Sequence, residues 1–233
     1  MKLSQSAYFD STPHQFSLDQ VTQPFLFQTL EMDHIRQALS LPPSSSIIDF
    51  GCGSGRASIY FLRHGYHVHA VDISHRSLNN LTRIYRQFKK PSWGKLTTSD
   101  HLFPGQFSAI IGSDILHHVN LKEVLPQLYL VLAPGGKIVF SEPNALNITW
   151  YFHYLLKHVP WHIESGILQC NLPYLYSVLR QSGFRQIELS GHGLFPTRLF
   201  NSFPRLCYFN CFKLGNNIIS RPFAFRYLIS AQK

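Results

Sequence analysis

Two periods of apolar spacing, one helical and one extended, alternate along this chain. From Pro24 to Leu39 the apolar residues Phe25, Leu26, Leu30, Ile35 and Leu39 follow a roughly helical repeat that Pro42-Pro43 stops. Ser46–Phe50 is a short apolar run ending in a glycine-rich turn, and Arg56–His64 reads as a helix closed by Gly65. Strand His67–Val71, helix Arg76–Phe88 and short strand Lys95–Thr98 follow, then strand Phe107–Gly112, helix Leu121–Leu132 and strand Lys137–Ser141. Such β-α alternation predicts an α/β fold, a doubly wound, mostly parallel sheet with helices on both faces.

After Glu142 the rhythm changes. Asn144–Lys157 reads as an aromatic helix, Trp161–Cys170 takes no clear pattern, and Leu172–Gln181 is a helix closed by Gly183. Phe184–Leu189 and Phe223–Ser230 alternate like strands, which brings the sheet to seven strands and predicts an antiparallel finish. The stretch between them, Ser190 to Pro222, is too long for a plain loop and is expected to carry its own structure over a binding site.

Composition narrows the class. The 233 residues are 45% hydrophobic and 14% charged, which argues against disorder and allows a sizeable core without staples. The formal balance is +9, so an anionic ligand, nucleic acid or an acidic membrane face is compatible with it. Four cysteines, without paired metal spacing, fit a reducing compartment. No continuous apolar run opens the chain, and the longest one, Ala145 to Leu156, is too short to span a bilayer, so a cytoplasmic protein is expected.

The chemistry concentrates in Ile47-Ile48-Asp49-Phe50-Gly51-Cys52-Gly53-Ser54-Gly55, a strand running into glycines at alternate positions and then a helix. Glycine permits positive φ and close approach of the backbone to a ligand. A second acid, Asp72, ends the next strand, where a carboxylate can accept from both hydroxyls of a nucleoside ribose. The dinucleotide fingerprint fails at its third glycine, which is Arg56 here.

The spacing Asp49-x-Gly51-x-Gly53-x-Gly55 instead resembles motif I of the class I S-adenosylmethionine (SAM) methyltransferases, and later segments keep that family's order over about residues 25 to 190. Val68-His-Ala-Val-Asp72-Ile73-Ser74 is similar to the ribose-binding strand end, and Thr98-Ser99-Asp100-His101 to the acidic pair that meets adenine. Phe107 to Val119, with Ser113, Asp114 and the Leu116-His117-His118-Val119 ending, resembles motif IV, although Ser108 stands where the family usually has Asp. Leu132-Ala-Pro-Gly135-Gly136 leads into the fifth strand, which ends Ser141-Glu142-Pro143-Asn144. The resemblance implies a Rossmann-like fold and SAM as cofactor, with S-adenosylhomocysteine as product. It implies that Asp49, Gly51, Cys52, Gly53, Gly55, Asp72, Ile73, Asp100, His101 and Ser113 hold it. It further implies one domain over 1–233: a helical cap (1–40), a cofactor core (41–142), and lid elements with the last strands (143–233).

Methyl transfer needs alignment above all, and a general base only when the acceptor must lose a proton. His118 and His117, at the carboxyl end of the fourth strand, are the candidate catalytic residues, since a neutral imidazole suits that task. Glu142 reads equally as a substrate ligand or a buried structural carboxylate. No metal site is expected: His158-x3-His162-x-Glu164 is only a loose donor set. From Leu189 to Lys233 there is no acid, while Arg198, Arg205, Lys213, Arg221 and Arg226 stand among many aromatics. Such a lid suits a small apolar, aromatic or lipid-like acceptor, methylated at oxygen or nitrogen, with peripheral membrane contact compatible. The alternatives are an RNA methyltransferase and a non-catalytic SAM-binding or membrane-associated scaffold. Nucleic acid is disfavoured because Ser113-Asp114-Ile115-Leu116 places no aromatic to stack an extruded base.

Overall fold

A computed structural model describes residues 18–158 and 160–233. Two helices, α1 (Leu18–Thr22) and α2 (Leu26–Leu39), precede the sheet. Then come β1 (Ser46–Phe50), α3 (Arg56–Arg63), β2 (His67–Val71), α4 (His75–Phe88), β3 (Leu96–Ser99), β4 (Phe107–Ser113), α5 (Leu121–Val131) and β5 (Leu132–Pro143). The later part holds α6 (Thr149–Leu156), α7 (Trp161–Glu164), α8 (Leu172–Gln181), β6 (Arg185–His192), α9 (Pro204–Tyr208) and β7 (Arg226–Gln232).

The seven strands lie in the order β3-β2-β1-β4-β5-β7-β6. Pairs β2–β3, β1–β2, β1–β4 and β4–β5 are parallel, whereas β7 runs antiparallel to both β5 and β6. The antiparallel finish therefore has a definite form: the last strand slots between β5 and β6, and β6 becomes the edge.

The inner strands β1 and β4 carry apolar runs because both faces of the sheet are covered there. Ile47, Ala109, Ile111 and Val139 pack toward Ile35, Leu39, Phe61 and Leu81 of α2, α3 and α4. Their neighbours Ile48, Ile110, Ile138 and Phe140 pack on the other side against Leu125, Leu128 and Val178 of α5 and α8. The period of two in a strand thus feeds two cores at once.

The aromatic helix begins later than its apolar pattern predicts, at Thr149 instead of Asn144, and the reason is local. Asn144 Oδ1 accepts from the Leu146 N–H, and its amide donates to the carbonyls of Pro222 and Ala224 at 2.9 and 2.8 Å. Asn147 repeats the device: Oδ1 accepts from the Thr149 N–H, and the amide donates to Leu194 and Phe223 carbonyls. Asparagine favours such side-chain-to-backbone turns over helix interiors. Residues 144–148 become a strap joining β5 to the tail. The stretch 190–222 does carry structure: short helical turns at Thr197–Phe200, α9 and Phe209–Leu214.

Replacing fully buried Asn144 by Ala leaves two backbone carbonyls without their donor. Urea unfolding of Asn144→Ala should show a loss of about 2–3 kcal/mol; unchanged stability would mean the strap does not hold the tail.

Candidate active site

The carboxyl ends of the parallel strands open into one cavity of about 620 Å³. Asp49, at the end of β1, is buried and accepts from Ser58 Oγ of α3 at 2.5 Å, tying the glycine turn to the helix that follows it. Burial pushes its carboxyl up to about 6 against the lowering effect of that hydrogen bond. Gly51 has φ +72, its N–H donates to Val71 O at 2.8 Å, and a Cβ there would collide with Ile115. Gly53, at φ +50, has open space where a Cβ would stand, so the turn offers its bare backbone to the cavity.

Asp72 holds this turn from the next strand. Its Oδ2 accepts from the Gly53 N–H at 2.7 Å and its Oδ1 from the Ser74 N–H at 2.8 Å. Beyond β3, exposed Asp100 meets His101 Nδ1 at 2.6 Å and His75 Nε2 at 3.7 Å, and the His101 bond lowers its pKa. Asp49, Gly51, Cys52, Gly53, Asp72, Ile73, Asp100, His101 and Ser113 all line the cavity. Gly55 does not; at φ +94 it opens α3 and packs on Leu81. Cys52 is a buried thiol whose pKa burial raises, so it is no nucleophile.

A second cluster joins five elements. Arg226 of β7 reaches Asp114 Oδ1 at 2.6 Å, Glu31 Oε1 of α2 at 3.3 Å and Ser141 Oγ at 2.9 Å. Arg56, the first residue of α3, donates to Ser113 Oγ at 2.9 Å and lies 3.5 Å from Asp114, while Ser113 Oγ donates to Glu31. Burial would lower the Arg226 pKa, but Asp114 and Glu31 outweigh it and keep the guanidinium charged. Sequence reasoning assigned no role to Glu31, Arg56 or Asp114 and read Arg226 as one of several tail bases. The available signal was an arginine inside the apolar strand Arg226–Gln232.

The third cluster contains the histidines. Glu142 ends β5 fully buried; its Oε1 accepts from the N–H groups of Ile115 and Leu116, both at 2.9 Å, and its Oε2 pairs with His117 Nδ1 at 2.7 Å. On the other ring nitrogen, Glu164 Oε2 lies 3.4 Å from His117 Nε2. Burial alone would depress the His117 pKa, but hydrogen bonds to Glu142 and Glu164 outweigh it and raise it to about 10. His117 is therefore an imidazolium at neutral pH, contrary to the expectation of a neutral base there: two buried carboxylates require a positive charge between them. His118 is the opposite case. Burial and the adjacent charged His117 push it down to about 4, so it is neutral at pH 7.

Donor atoms of His117, His118 and Glu164 lie within 4.8 Å of one another, as do those of His117, Glu142 and Cys170. Both nitrogens of His117 already face carboxylates, so a metal ion would have to displace one of those pairings. His158 and His162 are exposed and join no such donor group among the described residues. Trp150, His153 and Tyr154 of α6 complete the cavity wall. The Trp150 ring stacks on Phe225 at 4.4 Å and its Nε1 donates to Phe225 O at 2.6 Å.

A glycine turn at a strand end, one carboxylate on the next strand, another after the third, and a mixed cavity above the sheet fit a nucleoside with a charged amino-acid tail. The comparisons agree. Residues 25–189 match the family described as a methyltransferase domain. A demethylmenaquinone methyltransferase of Tropheryma whipplei is 31% identical over 140 residues, 56% of this chain and 58% of that protein. The chain thus matches little more than half the length of this relative. A ubiquinone biosynthesis O-methyltransferase of Aromatoleum aromaticum is 23% identical over 159 residues, 64% of this chain and 68% of that protein. Among solved structures, a phosphoethanolamine N-methyltransferase of Haemonchus contortus, in complex with phosphomonomethylethanolamine and S-adenosylhomocysteine, superposes with a TM-score of 0.65. At 14% identity, over 100% of this chain and 60% of that one, the likeness is one of fold.

The His117 pKa, raised from an ordinary 6.5 to about 10, links protonation to folding. The stability it brings is complete below about pH 6.5 and fades as the pH climbs toward 10. Glu142→Gln should therefore cost about 2–3 kcal/mol near pH 7, and the difference from wild type should shrink by pH 10. Denaturant melts at both pH values check this; an equal penalty at each would mean that the imidazole is neutral throughout.

Proposed function

The chain belongs to the class I SAM-dependent methyltransferases, and from that premise we propose that it methylates a small, apolar or aromatic acceptor at oxygen or nitrogen. The observation that carries this reading is the cavity wall: one cavity is bounded by the glycine turn and Asp72, by the neutral imidazole of His118, and by Trp150 and Tyr154. Quinone-ring methyltransferases among the relatives support an acceptor of that chemistry.

In this reading Asp72 accepts from ribose hydroxyls, Asp100 meets the adenine amino group, Ile73 packs beside the base, and the turn Gly51–Gly53 lies along the amino-acid end. The core 41–142 holds the cofactor; 1–40 and 143–233 shape the acceptor side. SAM supplies a methyl group already activated on a sulfonium. The chain's work is then to align the acceptor and keep water out, worth up to about 7–11 kcal/mol in well-oriented cases.

For a hydroxyl acceptor, His118 takes the proton as the oxygen attacks. Its depressed pKa keeps it ready at every pH above about 4. His117 does not act on the acceptor. Clamped between Glu142 and Glu164, it positions its neighbour and keeps it neutral. With the basic excess distributed outside the cofactor turn and reduced cysteines buried throughout, the setting proposed is the cytoplasm.

The test is transfer of labelled methyl from SAM to lipid, metabolite and RNA fractions of a cell extract. Label in the lipid or metabolite fraction is expected; label in RNA alone would promote the RNA reading, and no label anywhere the non-catalytic one. With an acceptor in hand, His118→Gln should lower kcat by about 10²–10⁴-fold for a hydroxyl substrate while leaving SAM affinity unchanged. The wild-type acid limb should fall near pH 4 instead of 6.5, since protonating His118 removes the base.

A further inference from the structure

Helix α6 presents two sets of side chains with different fates. Residues three and four apart share a helix face, and Trp150, His153 and Tyr154 form the set that lines the cavity. Phe152, Leu155 and Leu156 form another set at the same spacing, outside that lining and 56%, 72% and 75% exposed. Single surface hydrophobes are ordinary, but a cluster of them marks an interaction surface.

These are clustered. Asn147 bonds the carbonyls of Leu194 and Phe223, which sets exposed Ile148, Phe195 and Phe223 together at the start of the same helix. Ile218 and Ile219, on the segment leading to Phe223, are each 82% exposed.

Charge gathers in the same part of the chain. Residues 143–233 hold nine Lys or Arg and two acids, Glu164 and Glu188. Glu164 is buried in the cavity wall, and Glu188 lies on the edge strand β6. Lys157, Arg198, Arg205 and Lys213, in the same segments as the apolar residues, are exposed. Apolar side chains interleaved with cations, and almost no anions, complement a surface that is negative outside and oily beneath. No helix among the described residues is long and apolar enough to cross a membrane.

We propose that the face built by α6 and the turns from Phe195 to Phe223 docks on an anionic lipid bilayer, with Leu155 and Leu156 at the boundary of headgroups and acyl chains. The helix that meets the bilayer also walls the cavity, so a lipid-like acceptor can pass from membrane to site beside Trp150 and Tyr154 without crossing water. The route of the acceptor rests on the function proposed above; the docking itself does not.

The experiment is co-sedimentation of the whole chain with vesicles of phosphatidylcholine alone and of phosphatidylcholine mixed with phosphatidylglycerol. Strong partition to the mixed vesicles, weakened by salt, is expected. The double variant Leu155→Asp/Leu156→Asp should lower it about tenfold or more while SAM affinity and the unfolding midpoint stay as in wild type. No partition to anionic vesicles, or partition that the variant leaves intact, overturns the proposal. So does light scattering that shows a dimer dispersed by the variant without vesicle binding, because the face would then seat a second copy. Should the variant unfold, Arg205→Glu/Lys213→Glu replaces it, with weakened partition expected and unchanged partition overturning the proposal. Docking without methyl transfer to any small-molecule or lipid fraction would sink the functional reading alone; transfer without docking would sink this one alone.

Discussion

Glu142 has no exposed surface, yet three donors converge on its carboxylate: two backbone N–H groups from the turn after β4 and the ring of His117. A buried carboxylate of this kind is costly unless it is hydrogen-bonded and a cation stands beside it. Both conditions are met by the segment Ile115–His117, so the end of β5 dictates the path of the chain leaving β4. From that path follow the charged state of His117, the neutral state of His118 and the position of both on the cavity wall. Glu164, arriving from α7, closes the second side of the ring and draws the lid into the same electrostatic unit.

The Arg226 cluster does comparable work on the cofactor side. One guanidinium on β7 contacts a carboxylate from α2, a carboxylate after β4 and a hydroxyl on β5, while Arg56 links the same acids to the first turn of α3. The last strand of the sheet is thereby coupled to the glycine turn from which α3 springs. Insertion of β7 between β5 and β6 is what brings Arg226 there.

The alternating elements were legible because the inner strands are apolar on both faces and the helices that cover them carry an apolar stripe. The strand-end part of the cavity was legible for a different reason: Asp49, the glycines, Asp72 and Asp100 are fixed by strand ends, and strand ends can be read from spacing. What could not be read was long-range pairing. Glu31 meets Arg226 across nearly the whole chain, and Glu164 meets His117 from a segment without clear periodicity. The false start of α6 has the same origin: the partners of Asn144 and Asn147 lie some eighty and fifty residues away. The expectation for His117 erred because a lone imidazole is neutral at pH 7, and only two carboxylates brought from elsewhere make it otherwise.

The charge of the chain also takes a spatial form. The acids are few, and several stand at the strand ends around the cavity; the basic excess lies in two acid-free stretches, 73–99 and 189–233. Calorimetric titration is the direct test of the turn held by Asp72 as a SAM site. SAM should bind, NAD should not, and Asp72→Asn should weaken SAM by about tenfold or more, the equivalent of about 1.4 kcal/mol. Binding of NAD without SAM, or an Asp72→Asn chain that binds SAM as tightly as wild type, would contradict it.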